Sequence, residues 1–235
     1  TLRTTGVAES LLADRVKAID ETMGEVKLAY LPGIEGVDLR LTMRAPSVAA
    51  ADEALGAAAA RLRAVLGHDV YGEAATDLAA VVLDACRARG LTIAVAESCT
   101  GGLLGARLTA ISGSSDVVLG GVIAYANAVK EAMLDVPTAA IAAEGAVSEP
   151  VARAMASGVR ARTGARIGVG ITGVAGPTGG TPEKPVGTVW IATDVEGALE
   201  ARLFKLWGNR EEVRQRAAQW AMDLVRRRLL DSPHG

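Results

Sequence analysis

Short apolar runs alternate with helical patterns from residue 73 to the C-terminal end, and this alternation constrains the fold most. Each run is short enough for one buried strand, and the glycine-rich or polar turns between the segments mark where strands end. The predicted strands are 91–96, 117–126, 166–171, 186–193 and 199–206. The predicted helices are 73–89, 101–111, a short one from Ala128, one opened by Ser148-Glu149-Pro150, and one from Asn209 to Arg228. Alternation of this kind predicts an α/β fold, here a three-layer α/β/α sandwich.

The first 72 residues carry a different pattern of helix, strand, strand and helix. Apolar spacing predicts a helix over 9–22, and an apolar run predicts a strand over 26–31. Residues 37–43 alternate between apolar and polar, as a half-exposed strand does, and the turn 32–36 indicates a hairpin. Ser47 is placed to cap a second helix that runs to Leu66. We therefore predict a smaller α+β domain over 1–72 and a second domain over 73–235, with the seam at 67–72.

Composition excludes several classes of protein. No apolar run reaches the ~18 residues of a membrane span, so no membrane contact is expected. Two cysteines without a CxxC pair indicate a reducing compartment, the cytoplasm. His68 and His234 are the two histidines, and without HExxH or CxxC spacing no metal is expected. The net charge is −2, and residues 1–73 carry eight Lys and Arg against eleven Asp and Glu, so a nucleic-acid partner is not expected.

The turn Glu97-Ser98-Cys99-Thr100-Gly101-Gly102 lies between a predicted buried strand and a predicted helix. A hydroxyl at such a helix N-terminus sits near backbone N–H groups that stabilise an oxyanion, which makes Ser98 a candidate nucleophile. A simpler interpretation is that Ser98 or Thr100 only caps the helix. Cys99 is a rival nucleophile, but a catalytic cysteine needs a histidine base and neither histidine belongs to this segment. Glu97 ends a buried strand and therefore needs a partner or a role.

Lysine is the usual base for a serine without histidine, and Lys130 is the candidate here. Asn127 can cap the helix that carries Lys130, which would place this lysine in the first turn. The helix dipole and partial burial would then lower its pKa. Tyr125, just before that helix, could relay a proton. The alternative is an ordinary surface lysine beside a core tyrosine.

A second glycine cluster follows the predicted strand 166–171, from Thr172 and Gly173 through Gly176 to Gly180. It lacks the Gly-Lys-Ser/Thr ending of an ATPase loop, so a nest for a single phosphate fits better. Arg210 and Arg214 lie four residues apart near the start of the last helix and could grip a phosphate together. A solvated basic stripe would show the same spacing.

These motifs, in this order, resemble the C-terminal domain of the CinA family of competence/damage-inducible proteins, the bacterial nicotinamide-mononucleotide (NMN) deamidase. The matching segments are 96–102, 120–127 with Lys130, 145–148 and 172–177. The resemblance implies hydrolysis of NMN to nicotinic acid mononucleotide and ammonia without metal or cofactor. It implies Ser98 as nucleophile, Lys130 as base and Tyr125 as an assisting residue. Its implied substrate-binding residues are Glu97, Thr100, Gly101, Gly102, Asn127, Thr172, Gly173, Gly176 and Arg210.

Residues 1–72 resemble the KH-like middle domain of the long form of this family. The N-terminal molybdopterin-binding-like domain of that form, which carries a pyrophosphatase activity, is missing, and the chain begins at Thr1, so a fragment is expected. Gly33-Ile34-Glu35-Gly36 matches the Gly-x-x-Gly of RNA-binding KH domains, but Glu35 disfavours phosphate. We expect a scaffold or dimerisation unit, and a homodimer. The alternatives are a non-catalytic nucleotide-binding or competence-associated accessory protein, and a Ser/Lys hydrolase of other small amides.

Overall fold

The computed structural model describes residues 1–231, and their contacts divide the chain into two compact units. The first runs from Thr1 to Val81 and the second begins at Val82. The predicted boundary after residue 72 stays a prediction. No helix within 1–231 is both long enough and apolar enough to cross a membrane.

The first unit is a four-stranded antiparallel sheet with two helices. Its elements are β1 (Leu2–Thr4), α1 (Glu9–Asp20), β2 (Lys27–Pro32), β3 (Val37–Thr42), α2 (Val48–Leu66) and β4 (Val70–Glu73), with strand order β2-β3-β1-β4. The two helices and the hairpin match the sequence prediction. Strands β1 and β4 were missed because three or four residues are too few to show a period. Strand β4 takes residues 70–72 of the predicted seam, so the second half of the seam belongs to the sheet, and its first half is the short turn Gly67–Asp69.

Local contacts explain these elements. Ser47 accepts a hydrogen bond from the Ala50 backbone at 3.2 Å and caps α2, as predicted. Leu12 and Leu62, from the two helices, and Leu39 of β3 are fully buried in one core. The Gly-x-x-Gly segment closes the hairpin between β2 and β3, and its Glu35 lies 3.0 Å from the Arg3 guanidinium. A carboxylate at this turn repels phosphate, as the sequence indicated.

The second unit is a mixed five-stranded sheet with helices on both faces. Its elements are α3 (Leu78–Arg87, which crosses the division), β5 (Ile93–Glu97), α4 (Leu103–Thr109), β6 (Val118–Ile123), α5 (Asn127–Leu134), α6 (Thr138–Glu144), α7 (Glu149–Thr163), β7 (Ile167–Gly173), β8 (Thr188–Val195), β9 (Ala198–Lys205) and α8 (Arg210–Asp231). All five predicted strands are present. The helix α6 was not predicted.

Neighbouring residues of β8 place α7 and α8 on opposite faces of the sheet. The side chain of Asp194 accepts a hydrogen bond from Ser157 of α7 at 2.9 Å. The hydroxyl of Thr193 accepts one from Arg228 of α8, also at 2.9 Å. Successive side chains of a strand point to opposite faces, so these contacts define three layers. The predicted α/β class with a smaller N-terminal α+β unit is confirmed.

The strand order β6-β5-β7-β8-β9 brings three polar segments to one edge of the sheet. Strand β5 is parallel to both β6 and β7, so all three end at the same edge. Ser98 follows β5, Tyr125 follows β6, and Thr172 lies at the end of β7. Ligands of open α/β sheets bind outside the carboxyl ends of such strands, and the candidate site lies there.

Candidate active site

One cavity of about 260 Å³ lies at this edge and gathers most of the predicted site residues. Eight of the twelve line it: Ser98, Tyr125, Asn127, Lys130, Thr172, Gly173, Gly176 and Arg210. The other four, Glu97, Thr100, Gly101 and Gly102, do not line it but belong to the turn that carries Ser98. The cavity is therefore assembled from the ends of three parallel strands, two loops and the first residue of α8.

Glu97, rather than a hydroxyl, caps the helix after the Ser98 turn. Its carboxylate is buried and accepts three backbone hydrogen bonds, from Gly102 and Leu104 at 3.1 Å and from Gly105 at 2.8 Å. The N-cap of α4 is Gly102, so the interpretation of Ser98 or Thr100 as a simple cap is wrong. The structural role of Glu97 is thus to hold the N-terminus of α4, and its predicted contact with substrate stays a prediction.

The backbone of this turn needs glycine. Gly101 and Gly102 have φ of 62° and 95°, in the left-handed region that side chains with a Cβ disfavour. The Ser98 backbone donates to the carbonyl of Ile171 in β7 at 2.9 Å, which ties the turn to the neighbouring strand. Ser98 is 9 % exposed, so its hydroxyl is reached through the cavity. Thr100 is fully buried, and its hydroxyl has no hydrogen-bond partner within residues 1–231.

Lys130 is buried, with 1 % of its surface exposed, and lies in the first turns of α5. Its Nζ donates to the backbone carbonyl of Ala124 at 2.7 Å and to that of Tyr125 at 3.1 Å. Burial away from water lowers the pKa of Lys130 below the ordinary lysine value. The N-cap of α5 is Ala126, without a side-chain cap, so Asn127 is the first helical residue and the predicted Asn127 cap is wrong. The surface-lysine alternative is wrong as well.

Two carbonyl acceptors suit a neutral amine at Lys130. A neutral amine has two N–H donors and one lone pair, so both donors find partners here and the lone pair is left to accept a proton. A buried ammonium would carry a third N–H and an uncompensated charge, which burial disfavours. Burial therefore favours the neutral amine, and the two carbonyl partners are compatible with it.

Cys99 lines the same cavity but is unsuited to attack. Burial raises the pKa of its thiol to about 12, which leaves almost no thiolate at neutral pH. His68 lies in the short turn Gly67–Asp69 of the first unit, and His234 lies outside the described residues. Among residues 1–231 no histidine lines the cavity, and no three His, Cys, Asp or Glu residues are grouped as a metal site would require.

Arg210 enters the cavity from the start of α8. Its guanidinium donates to the carbonyl of Gly176 at 2.7 Å and to the hydroxyl of Tyr125 at 2.9 Å. Both acceptors are neutral, so its positive charge remains available to an anion. Tyr125 is 60 % exposed and stands at the cavity mouth, rather than in the core as one interpretation held. Arg214 turns away to the Thr100 carbonyl, so the predicted pair of arginines does not converge on one anion.

Backbone groups at the start of α8 are already paired. The side chain of Asn209 accepts from the amides of Glu211 and Glu212, and Glu212 accepts from the amide of Asn209 at 2.7 Å. This is the capping box that the sequence predicted. An anion in the cavity would therefore meet the Arg210 guanidinium rather than the amides of this helix.

Two loops complete the walls. The hydroxyl of Thr172 donates to the carbonyl of Ala146 at 2.8 Å, which joins the end of β7 to the segment between α6 and α7. Six further residues that line the cavity were not among the predicted site residues: Ala146, Val147, Val174, Ala175, Thr178 and Gly179. Most of them have no reactive group, so only their position in the segments 145–148 and 172–180 could have drawn attention to them.

Comparisons with known proteins identify the family of the chain. Residues 75–229 match the CinA C-terminal domain, and residues 1–72 match the KH domain of damage-inducible protein CinA. The chain belongs to the CinA family. A CinA-like protein of Gemmatimonas aurantiaca is 61 % identical over 227 residues, covering 97 % of this chain and 53 % of that protein. A CinA-like protein of Salinibacter ruber is 46 % identical over 230 residues, covering 97 % and 56 %. The chain thus spans about half the length of the curated CinA relatives it matches.

Solved structures of the CinA superfamily are also similar. A competence/damage inducible protein from Agrobacterium tumefaciens has a TM-score of 0.63 and 39 % identity, covering 66 % of this chain and 94 % of that one. A CinA superfamily protein from Klebsiella pneumoniae has a TM-score of 0.64 and 35 % identity, covering 66 % and 97 %. Nearly the whole of each of these two solved chains therefore corresponds to about two thirds of this chain.

Proposed function

We propose that the second unit is an amidohydrolase that converts NMN to nicotinic acid mononucleotide and ammonia, as the CinA resemblance implies. The observation that carries the proposal is the buried Lys130, which shares one cavity with Ser98 and has both N–H donors of its neutral form matched by carbonyls. A lysine is costly to bury without a role, and acting as the base for a hydroxyl of the same cavity is such a role.

The proposed reaction has two steps. The Ser98 oxygen attacks the carboxamide carbon while its proton passes to Nζ of Lys130, and a tetrahedral oxyanion forms. Collapse of this intermediate breaks the C–N bond, and the Lys130 ammonium returns the proton to the leaving nitrogen, so ammonia departs. Water then attacks the acyl-serine with Lys130 again as base, releasing the acid and restoring the hydroxyl. Tyr125, at the mouth, is proposed to assist through its hydroxyl.

The charge of the cavity supports a nucleotide substrate. Within residues 1–231 the Arg210 guanidinium is paired with neutral oxygens, and a phosphate monoester is an anion that a guanidinium binds strongly through two hydrogen bonds. We propose that Gly173, Gly176 and Thr172 form the adjoining wall, and that Asn127 offers its amide to the substrate. Glu97, Thr100, Gly101 and Gly102 are proposed to act through the shape of the Ser98 turn.

The test is ammonia release from NMN in metal-chelated buffer by the chain and by Ser98→Ala and Lys130→Ala. Each variant is expected to lose about three or more orders of magnitude in kcat, as loss of a nucleophile or its base costs. Cys99→Ala is the matched control and is expected to stay active, since its thiol is neutral. If the chain binds NMN without releasing ammonia, it is either a non-catalytic binding module or needs the N-terminal domain of the long form for activity. If Cys99→Ala is dead while Ser98→Ala turns over, the nucleophile is wrongly assigned.

The cellular setting belongs to the same proposal. Cys86 and Cys99 are both buried and free, which suits a reducing cytoplasm. We also propose that the chain works as a homodimer and recycles pyridine nucleotides in that compartment.

A further inference from the structure

Arg214 of α8 holds the backbone of the turn that carries Ser98. Its Nη2 lies 2.9 Å and its Nε 3.3 Å from the carbonyl oxygen of Thr100, so two donors of one guanidinium converge on one acceptor. Its Nη1 donates to the Glu211 carboxylate at 2.7 Å, one turn back on the same helix. The guanidinium is therefore fixed from two sides, and it does not line the cavity.

The Glu97 carboxylate holds the α4 end of this turn through the Gly102 amide, and Arg214 holds the Thr100 carbonyl before it. Between Ser98 and α4 the backbone passes through two left-handed residues, Gly101 and Gly102, which lack side chains that could anchor it. Inside the turn, the Gly101 amide donates to the Ser98 carbonyl at 3.1 Å and the Leu103 amide to the Thr100 carbonyl at 3.3 Å. Hydrogen bonds from a charged donor are stronger than these, so the arginine adds a substantial constraint on where the turn can lie.

The same helix carries the cavity arginine. Residues four apart on a helix lie on one face, so Arg210 and Arg214 have a fixed spacing along α8. Arg210 contacts the cavity loops through Gly176, and Arg214 contacts the nucleophile turn through Thr100. The capping box from Asn209 and Glu212 keeps this first part of α8 helical. One rigid helix therefore sets the distance between the anion-binding group and the turn that presents Ser98.

We propose that Arg214 is a positioning residue that aligns Ser98 relative to a substrate anchored at Arg210. It does not touch the substrate and acts through the Thr100 carbonyl. The inference rests on the proposed amide hydrolysis, in which Ser98 must meet a carbonyl carbon at near-attack distance. A displacement of about 1 Å in such a group can cost about 100-fold in rate. Loss of the Arg214 side chain should therefore lower kcat and leave KM nearly unchanged.

The experiment compares Arg214→Met, Arg214→Lys and the matched control Arg216→Met in the full chain. Arg216 lies two residues further along α8 and stacks on the Trp207 ring at 3.5 Å, away from the Ser98 turn. For NMN hydrolysis, Arg214→Met is expected to lower kcat by about 10- to 100-fold with KM within about twofold. Arg214→Lys should recover part of that loss, because one ammonium can still reach one carbonyl. Arg216→Met should match the unaltered chain.

A second readout needs no substrate. Hydrogen exchange of the Gly101 and Gly102 amides in the unliganded protein should quicken in Arg214→Met and not in Arg216→Met, with global unfolding measured alongside. A rise in KM at unchanged kcat would assign Arg214 to substrate binding and overturn the proposal. Unchanged kcat together with unchanged exchange would also overturn it. If the unaltered chain releases no ammonia, the proposed function fails, and the exchange of the two amides alone decides the role of Arg214.

Discussion

At the scale of single residues, Lys130 shows how burial creates reactivity. An exposed lysine has a pKa near ~10.4 and is almost fully protonated at neutral pH, so it cannot accept a proton. Removing it from water raises the free energy of the charged form, and the neutral amine can still donate one hydrogen bond to each of the carbonyls of Ala124 and Tyr125. Burial therefore makes the unprotonated amine of Lys130 available at lower pH than in an exposed lysine, which is what the proposed role as a base requires.

This account predicts the pH dependence of the reaction. The base must be unprotonated, so kcat should be low at acidic pH and rise as pH passes the pKa of Lys130 in the complex. Because burial lowers that pKa, the midpoint should lie below the ordinary lysine value. The measurement is kcat for NMN across pH for the unaltered chain and for Tyr125→Phe. A limb that begins only near pH ~10.4 would contradict a buried base. A midpoint that shifts strongly in Tyr125→Phe would show that Lys130 alone does not set the limb.

For the site, the sequence indicated which residues are involved but not which neighbours their side chains contact. Residue chemistry and spacing were enough to select Ser98, Lys130, Tyr125 and Arg210, and the structure brings them to one cavity. The direction of each side chain could not be predicted from the sequence, because it depends on packing between distant segments. The Glu97 side chain contacts the start of α4, and the Arg214 side chain contacts the Thr100 carbonyl in the turn that carries Ser98.

At the scale of elements, the fold was predictable where patterns were long. The buried strands of the second unit and the helices α2, α7 and α8 follow from apolar runs and from Ser47, Ser148 and Asn209 at their starts. Even there, chemistry differed from expectation: Ser148 occupies the N-cap but its hydroxyl donates to the Gly145 carbonyl at 2.9 Å. Short strands such as β1 and β4 exist through pairing with β3 and with each other, which no local pattern records.

The two edge strands of the second sheet differ in a way that bears on the proposed homodimer. Strand β9 presents three charged, exposed residues, Glu200, Arg202 and Lys205, which protect an edge against further pairing. Strand β6 presents no charge between Val118 and Ile123, and its Leu119 and Ile123 are exposed. An edge without such protection is suited to pairing with the same strand of a second copy, because a two-fold axis makes it self-complementary.

Leu119→Lys should therefore weaken the dimer. A lysine in this edge would face its own copy near the two-fold axis, and like charges that close are unfavourable. Leu203→Lys on β9 is the matched control, since Leu203 is 44 % exposed and Leu119 46 %. Native mass by light scattering across protein concentration should show dissociation for Leu119→Lys alone. A chain that is monomeric throughout would remove the homodimer from the proposal, and a dimer that survives Leu119→Lys would exclude β6 as its interface.

At the scale of the whole molecule, all lining residues of the cavity come from the second unit. The first of them in sequence is Ser98 and the last is Arg210, both beyond the division at Val82. The buried residues of the first unit form their own core, built from β1, α1, β3 and α2. The chemistry proposed for the cavity thus needs no side chain from the first unit.

A chain shortened to residues 73–235 is therefore expected to fold and to hydrolyse NMN with kcat and KM within about threefold of the full chain. The Agrobacterium tumefaciens relative supports this expectation, because 94 % of that chain corresponds to 66 % of this one. This share is much larger than the first unit, so the relative must correspond mainly to the second unit. The measurement is ammonia release by both lengths, with Ser98→Ala in each as the blank and thermal unfolding as the check on folding. If the shortened chain is folded but inactive, the first unit contributes to catalysis. Residues 1–72 would then do more than act as a scaffold, and the expectation that the cavity residues alone carry catalysis would be refuted.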